Sequence, residues 1–161
     1  MTTESYEVIF EGVPDKVLFA LLKVIEGNAD TLSDLTVSEP VELLSKSGVC
    51  KELIDDFCVR EEDACLSECL GGFHVSPALT LPSVLLRVVK YGGGTDVELS
   101  FDGIVTLGVD SVMLDVQRYA SNLSKFFGVT KFYGGLEPAI DVETRYFTND
   151  MLGPLSCAPV R

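Results

Sequence analysis

A single imidazole, His74, is the only side chain in the sequence that ordinarily trades a proton near neutral pH. Any mechanism needing a histidine base must therefore use it. Cys69, five residues earlier, is a conceivable nucleophile for it, but the sequence shows no orienting partner and no oxyanion device. Cys50, Cys58, Cys65, Cys69 and His74 offer five soft ligands within 25 residues, enough for zinc by count. Their intervals, Cys-x7-Cys-x6-Cys-x3-Cys-x4-His, contain none of the Cys-x2-Cys knuckles of structural zinc sites. Read as part of a helix, Cys65 and Cys69 share one face at i, i+4, which permits joint ligation and equally fits two small buried residues. We assign no catalytic residue and no metal ligand on this pattern, and expect no cofactor.

Carboxylates are far more plentiful. Asp55-Asp56, Glu61-Glu62-Asp63 and the pair Asp96 and Glu98 would have to converge in a pocket to serve a glycosidase or a magnesium site. On an amphipathic helix such acids instead form a solvated face. The alternating-Asp calcium loop is absent. Gly92-Gly93-Gly94-Thr95 is glycine-rich like a phosphate loop, but it joins two strand-like segments and lacks a following lysine, so it reads as a hairpin turn.

The net charge of −13 is unevenly placed: residues 1–80 hold 16 Asp/Glu against 5 Lys/Arg, and residues 81–161 hold 9 against 7. A field of that sign repels nucleic acid and anionic lipid and attracts cations or basic proteins. It also serves solubility. Direct nucleic-acid binding and membrane association are accordingly not expected. The opening MTTESYEVIF lacks a basic segment followed by an apolar one, and five cysteines cannot all pair within one molecule, so a reducing, cytoplasmic setting with free thiols is expected.

The elements that must position these groups follow from periodicity. Tyr6 to Glu11 alternates as a strand ending at Gly12, and Pro14 opens a helix whose Val17, Leu18, Leu21, Leu22 and Ile25 form an apolar stripe up to Gly27-Asn28. Thr31 to Ser38 suits an exposed edge strand. Further helices are expected from Pro40 through Lys46, over Val49 to Val59 with Val49, Leu53, Ile54 and Phe57 on one side, and from Glu61 to Leu70, where three acids complement the helix dipole. Ser83 to Tyr91 and Thr95 to Phe101 form a hairpin, its first arm central in the sheet because it is apolar on both faces. Ile104 to Leu107 follows a turn at Gly103. Asp110 or Ser111 caps a long helix ending at Gly128, Val129 to Tyr133 is a strand, Gly134 to Pro138 a turn, and Asp141 to Phe147 a strand or ordered loop. The fold class is α+β: one domain over residues 1–161, a mainly antiparallel sheet with a central hairpin packed against several helices, and an irregular tail from about residue 150.

The stretch Phe132-Tyr133-Gly134-Gly135-Leu136-Glu137-Pro138, with Thr144-Arg145-Tyr146-Phe147, resembles the ends of several families of small acidic immunity proteins that accompany bacterial polymorphic toxins, including those of contact-dependent inhibition. The resemblance implies a role: a non-enzymatic inhibitor that binds and neutralises a cognate toxin domain, often a basic nuclease, through complementary charge. On that reading the contact residues are Glu52, Asp55, Asp56, Glu61, Glu62, Asp63 and Glu68 on acidic helices, with Tyr133 and Tyr146 as aromatic anchors. A nucleic-acid mimic with carboxylates at phosphate-like spacing, and a small enzyme using a carboxylate or metal near Cys65, Cys69 and His74, stand as alternatives.

Overall fold

The computed structural model describes residues 4–38, 48–103 and 108–156. Its elements run β1 (Ser5–Glu11), α1 (Asp15–Gly27), β2 (Ala29–Val37), α2 (Lys51–Val59), β3 (Ala64–Ser76), β4 (Leu79–Tyr91), β5 (Gly94–Asp102), α3 (Val109–Phe127), β6 (Lys131–Leu136), a 3-10 turn (Val142–Thr144), β7 (Arg145–Thr148) and β8 (Met151–Leu152). The eight strands form one sheet in the order β2-β3-β4-β5-β1-β6-β7-β8, and every neighbouring pair is antiparallel. This is the α+β architecture expected. The β4–β5 hairpin lies centrally, with Tyr91 opposite Gly94 across Gly92-Gly93, and β2 is an edge.

Alternation along the strands gives the sheet two unlike faces. Tyr6, Val8 and Phe10 of β1, Leu86 and Val88 of β4, Val97, Leu99 and Phe101 of β5, and Leu66 and Leu70 of β3 pack with the stripes of α1, α2 and α3 in one core. The opposite face carries a separate small cluster of Ile9, Tyr133 and Ala139. Helix α1 begins after Pro14, as the sequence implied, and α3 ends at Gly128, whose φ of 72° is the left-handed conformation that suits a helix-terminating glycine. Gly108 occupies the start of α3, so Asp110 lies in its first turn. No helix among the described residues is long and apolar enough to cross a membrane.

Two expectations are corrected. Glu61 to Leu70 is not a helix: Ala64 onward is β3, followed by β4, in which Pro82 lies. β5 pairs with β4 only from Leu85 onward, so Pro82, which cannot donate a ladder hydrogen bond, deprives no neighbour on that side. Gly134-Gly135 is not a turn but continues β6. At Gly135 a Cβ would strike the Thr144 carbonyl and the Arg145 backbone, so a glycine permits the close crossing of β6 and β7. The described part of the tail, up to residue 156, carries backbone hydrogen bonds. Gly153 N–H donates to the Tyr146 carbonyl and Leu155 N–H to that of Arg145, at 2.7 and 2.9 Å. The helix expected over Pro40 to Lys46 and the segment Ile104 to Leu107 lie outside the described residues.

Candidate functional site

Helix α2 forms where the sequence placed it, because Leu53, Ile54 and Phe57 can be buried together while Glu52 and Asp55 face solvent. Its C-terminal end is held by Lys90 of β4, whose Nζ donates to the carbonyls of Phe57 (3.0 Å), Cys58 and Arg60. A cation there complements the negative end of the helix dipole. The chain then enters Glu61, Glu62 and Asp63, all exposed. Asp55 pairs with Lys51 at 3.2 Å, and Asp56 with Arg60 at 3.0 Å. Glu52, Glu61, Glu62 and Asp63 have no cationic partner among the described residues. Six of the predicted contact residues therefore sit together on α2 and the turn after it, as an acidic surface carried on a fixed helix.

Glu68 does not belong to that surface. It lies on the inner face of β3, 1% exposed, because period-two alternation with Leu66 and Leu70 turns it beneath α1. Tyr133 and Tyr146 are not projecting anchors either. Tyr133 is buried on the outer face beside Ile9 and Ala139, and burial together with Glu11 and Asp96 pushes its hydroxyl up to about 12. Tyr146 is half-buried with its ring 6.1 Å from that of Tyr6.

The residues considered for a metal or a nucleophile separate. Cys65 and Cys69 lie on a strand, four residues or about 13 Å apart, so the helical i, i+4 geometry that would let them share a ligand is lost. Burial raises the thiols of Cys65 and Cys69, and takes that of Cys58, with Asp15 adding to the effect, to about 11. All three therefore disfavour the nucleophilic thiolate. His74 Nε2 is 2.8 Å from Asp30 Oδ1 and its Nδ1 is 3.0 Å from Thr80 Oγ1. That chain of contacts has the composition of a triad, yet it is a cross-strand pairing of His74 with Thr80 on an exposed face. Among the described residues no group of three His, Cys, Asp or Glu has metal-site geometry. A groove of about 720 Å³ between α1, α3 and the β3–β4 turn is lined mainly by apolar side chains such as Val24, Tyr119 and Phe126, with no converging acid, base and nucleophile.

A second feature went unread in the sequence. On the outer face, Glu7 of β1 is 5% exposed and accepts the Ala139 N–H through Oε2 at 2.7 Å. Burial raises its carboxyl above the ordinary range, opposed by that hydrogen bond. Arg145, 7% exposed, lies 3.9 Å from the Tyr133 ring centroid and donates to the carbonyls of Ala139 (2.8 Å) and Ile140 (3.1 Å). Beside them run Glu98, paired with Arg87 at 3.0 Å, and Asp96, which accepts from Tyr91 Oη and from the Gly12 N–H. Alternation of Glu7, Ile9 and Glu11 in β1 and of Asp96, Glu98 and Ser100 in β5 was the available signal. The segment these groups support, Glu137 to Thr144, was invisible to periodicity.

No curated protein matches the chain. Among solved structures, it is similar to a chain in the 1.75 Å crystal structure of the toxic C-terminal tip of CdiA from Pseudomonas aeruginosa in complex with immune protein. The two are 46% identical, the match covers 96% of this chain and 99% of the other, and the TM-score is 0.87. The model of the PABL017 Cdi1I immunity proteins matches residues 4–152, and the chain belongs to that family.

Proposed function

We propose that this protein binds the toxic domain of a cognate CdiA-type protein and neutralises it by occupying its surface, without catalysing a reaction. The observation that carries the reading is membership of the immunity family together with near-complete structural coverage of a chain from a toxin and immune-protein complex. The partner is inferred to be a basic domain, of nuclease type. A chain of formal net charge −13, with Glu52, Glu61, Glu62 and Asp63 exposed and without cationic partners among the described residues, speeds encounter with such a domain. The nucleic-acid mimic is less well supported, because acids stand on α2, on α3 (Asp110, Asp115) and on the outer sheet face rather than in one row.

The test is a kinetic one. Asp55, Asp56, Glu61 and Glu62 are exchanged together for Lys, and association with the purified cognate toxin is followed at rising salt. The expected result is an association rate at low salt reduced about tenfold or more, with the salt dependence of the wild type flattened or inverted. An unchanged rate and salt slope would remove α2 from the interface, and absence of any complex with wild-type protein would remove the function itself.

A further inference from the structure

We propose that residues 137–144 form a preorganised recognition loop whose Ile140 and Val142 enter an apolar recess of the toxin domain, with Glu137, Asp141 and Glu143 meeting basic side chains around it. The proposal rests on the inhibitory reading above and names the part of the surface that makes close contact.

Ile140 is 66% and Val142 60% exposed, with Asp141 between them and Glu143 after, all at the surface. Single exposed aliphatics need no explanation. Two of them in a short loop with three exposed acids and no exposed base are the composition of an apolar anchor inside a charged rim. What distinguishes this loop is its support. The buried carboxyl of Glu7 accepts the Ala139 N–H, the buried guanidinium of Arg145 donates to the carbonyls of Ala139 and Ile140, and the Thr144 hydroxyl lies 2.8 Å from the carbonyl oxygens of both Pro138 and Asp141. Ala139 is fully buried against Ile9 and Tyr133. Thus the backbone is pinned at four successive positions, while the side chains on either side of Ala139 point to solvent.

Burying a carboxylate and a guanidinium carries a desolvation penalty that apolar residues would avoid. Here the penalty secures little core, since the loop buries one alanine. It does secure a fixed shape, and a loop ordered before binding loses less entropy on association. An acidic rim selects a partner whose recess is bordered by Lys or Arg. The loop and α2 stand on opposite faces of the sheet: Ala139 packs with Ile9 and Tyr133 on the outer face, whereas Leu53, Ile54 and Phe57 of α2 join the core on the other. Charge on α2 acts at a distance on encounter, whereas the loop acts in contact, so loop substitutions change dissociation.

The experiment compares wild type, Ile140→Asp, Val142→Asp, the double variant and Ile140→Leu, as full-length chains, for association and dissociation with the cognate toxin domain. Because both side chains are exposed, thermal melting should be unchanged. Each single Asp substitution should speed dissociation about tenfold and the double about a hundredfold, with association within about threefold of wild type and Ile140→Leu close to wild type. If wild type binds and the double variant dissociates at the same rate, the loop is not the contact and the proposal is overturned while the inhibitory function stands. If wild type does not bind the toxin, both fall. If light scattering instead shows a wild-type dimer that the double variant loses, the loop joins copies of this chain, and the proposal is again overturned.

Discussion

The buried carboxyl of Glu68 yields a prediction that runs against the usual pH behaviour of proteins. It lies on the inner face of β3 between Leu66 and Leu70, with Glu26 of α1 beside it. Glu26 is engaged on both oxygens, by Lys23 Nζ at 2.8 Å and by the Val49 N–H at 2.9 Å. Burial first, then the hydrogen bond and charge of Glu26, push Glu68 from its ordinary 4.5 up to about 9. Glu68 therefore keeps its proton at neutral pH and donates it to the Glu26 carboxylate. A raised native value means that the folded state holds one proton more than the unfolded state between pH 4.5 and about 9. Stability is then complete below the ordinary value and falls as pH rises, by at most about 1.4 kcal/mol per unit. Between pH 6 and 8 the ceiling is about 2.7 kcal/mol, and water entry and side-chain relaxation reduce the expected loss to about 1–2 kcal/mol. For a chain of this size that is a fall in melting temperature of about 2–8 °C. Glu68→Gln preserves shape and a donor toward Glu26 but cannot ionise. Melting curves from pH 5.5 to 8.5 should show the variant close to wild type at the acid end and above it at the alkaline end. Surface charge tilts both profiles alike, so the difference isolates this group. Parallel profiles, or a variant less stable by a constant amount, would refute the shared-proton account.

Two further outcomes follow from groups that organise the candidate surfaces. Lys90→Met leaves the carbonyls at the end of α2 without their donor, for a loss of about 1–3 kcal/mol; amide exchange should quicken across Lys51–Val59 while β4 and β5 keep their protection. Gly135→Ala sets a methyl group against the Thr144 carbonyl, and the forced separation of β6 from β7 should lower stability by about 1–3 kcal/mol in urea titrations. The same variant should weaken toxin binding by disturbing the loop that begins two residues later.

Much of the fold could be read from period alone, and the failures have particular causes. β1, α1, α2, α3 and the β4–β5 hairpin each present an uninterrupted apolar repeat bounded by Gly, Pro or a charge. β3 also repeats, at Ala64, Leu66 and Leu70, but Glu68 occupies an inward position and breaks the apolar alternation. The acids at 61–63 then imitate a helix start. The residue that hid the strand is the one whose burial sets the pH dependence. Gly134-Gly135 misled for a related reason: glycine pairs signal turns, but here they allow two strands to cross closely. Of the predicted contact residues, Glu52, Asp55, Asp56, Glu61, Glu62 and Asp63 share one surface because they are polar positions on a legible helix and the turn after it. Tyr133 was misplaced because an aromatic beside glycines looks exposed until a guanidinium is found stacked over it. The loop from Glu137 to Thr144 has no repeat to read; its order comes from Glu7, 132 positions away from Ala139.

The stretches that carry the family resemblance, Phe132–Pro138 and Thr144–Phe147, are those that build the cradle of this loop. Tyr133 supports Arg145, Gly135 admits the β7 backbone, and Thr144 and Arg145 donate to the loop carbonyls. Substituting any of them disturbs packing or leaves a buried polar group unpaired. Ile140, Asp141, Val142 and Glu143 have exposed side chains that bear no such duty, and exchange of exposed side chains ordinarily alters stability by no more than about 0.5 kcal/mol. A toxin inhibitor faces two demands on one scaffold: a shape rigid enough to bind without delay, and side chains free to match one partner and reject others. Placing rigidity in a buried carboxylate and guanidinium, and recognition in four positions between them, meets both without altering the sheet. On the proposal above, a change of partner specificity in this fold requires changes at positions 140–143 while Glu7, Tyr133, Gly135 and Arg145 stay as they are.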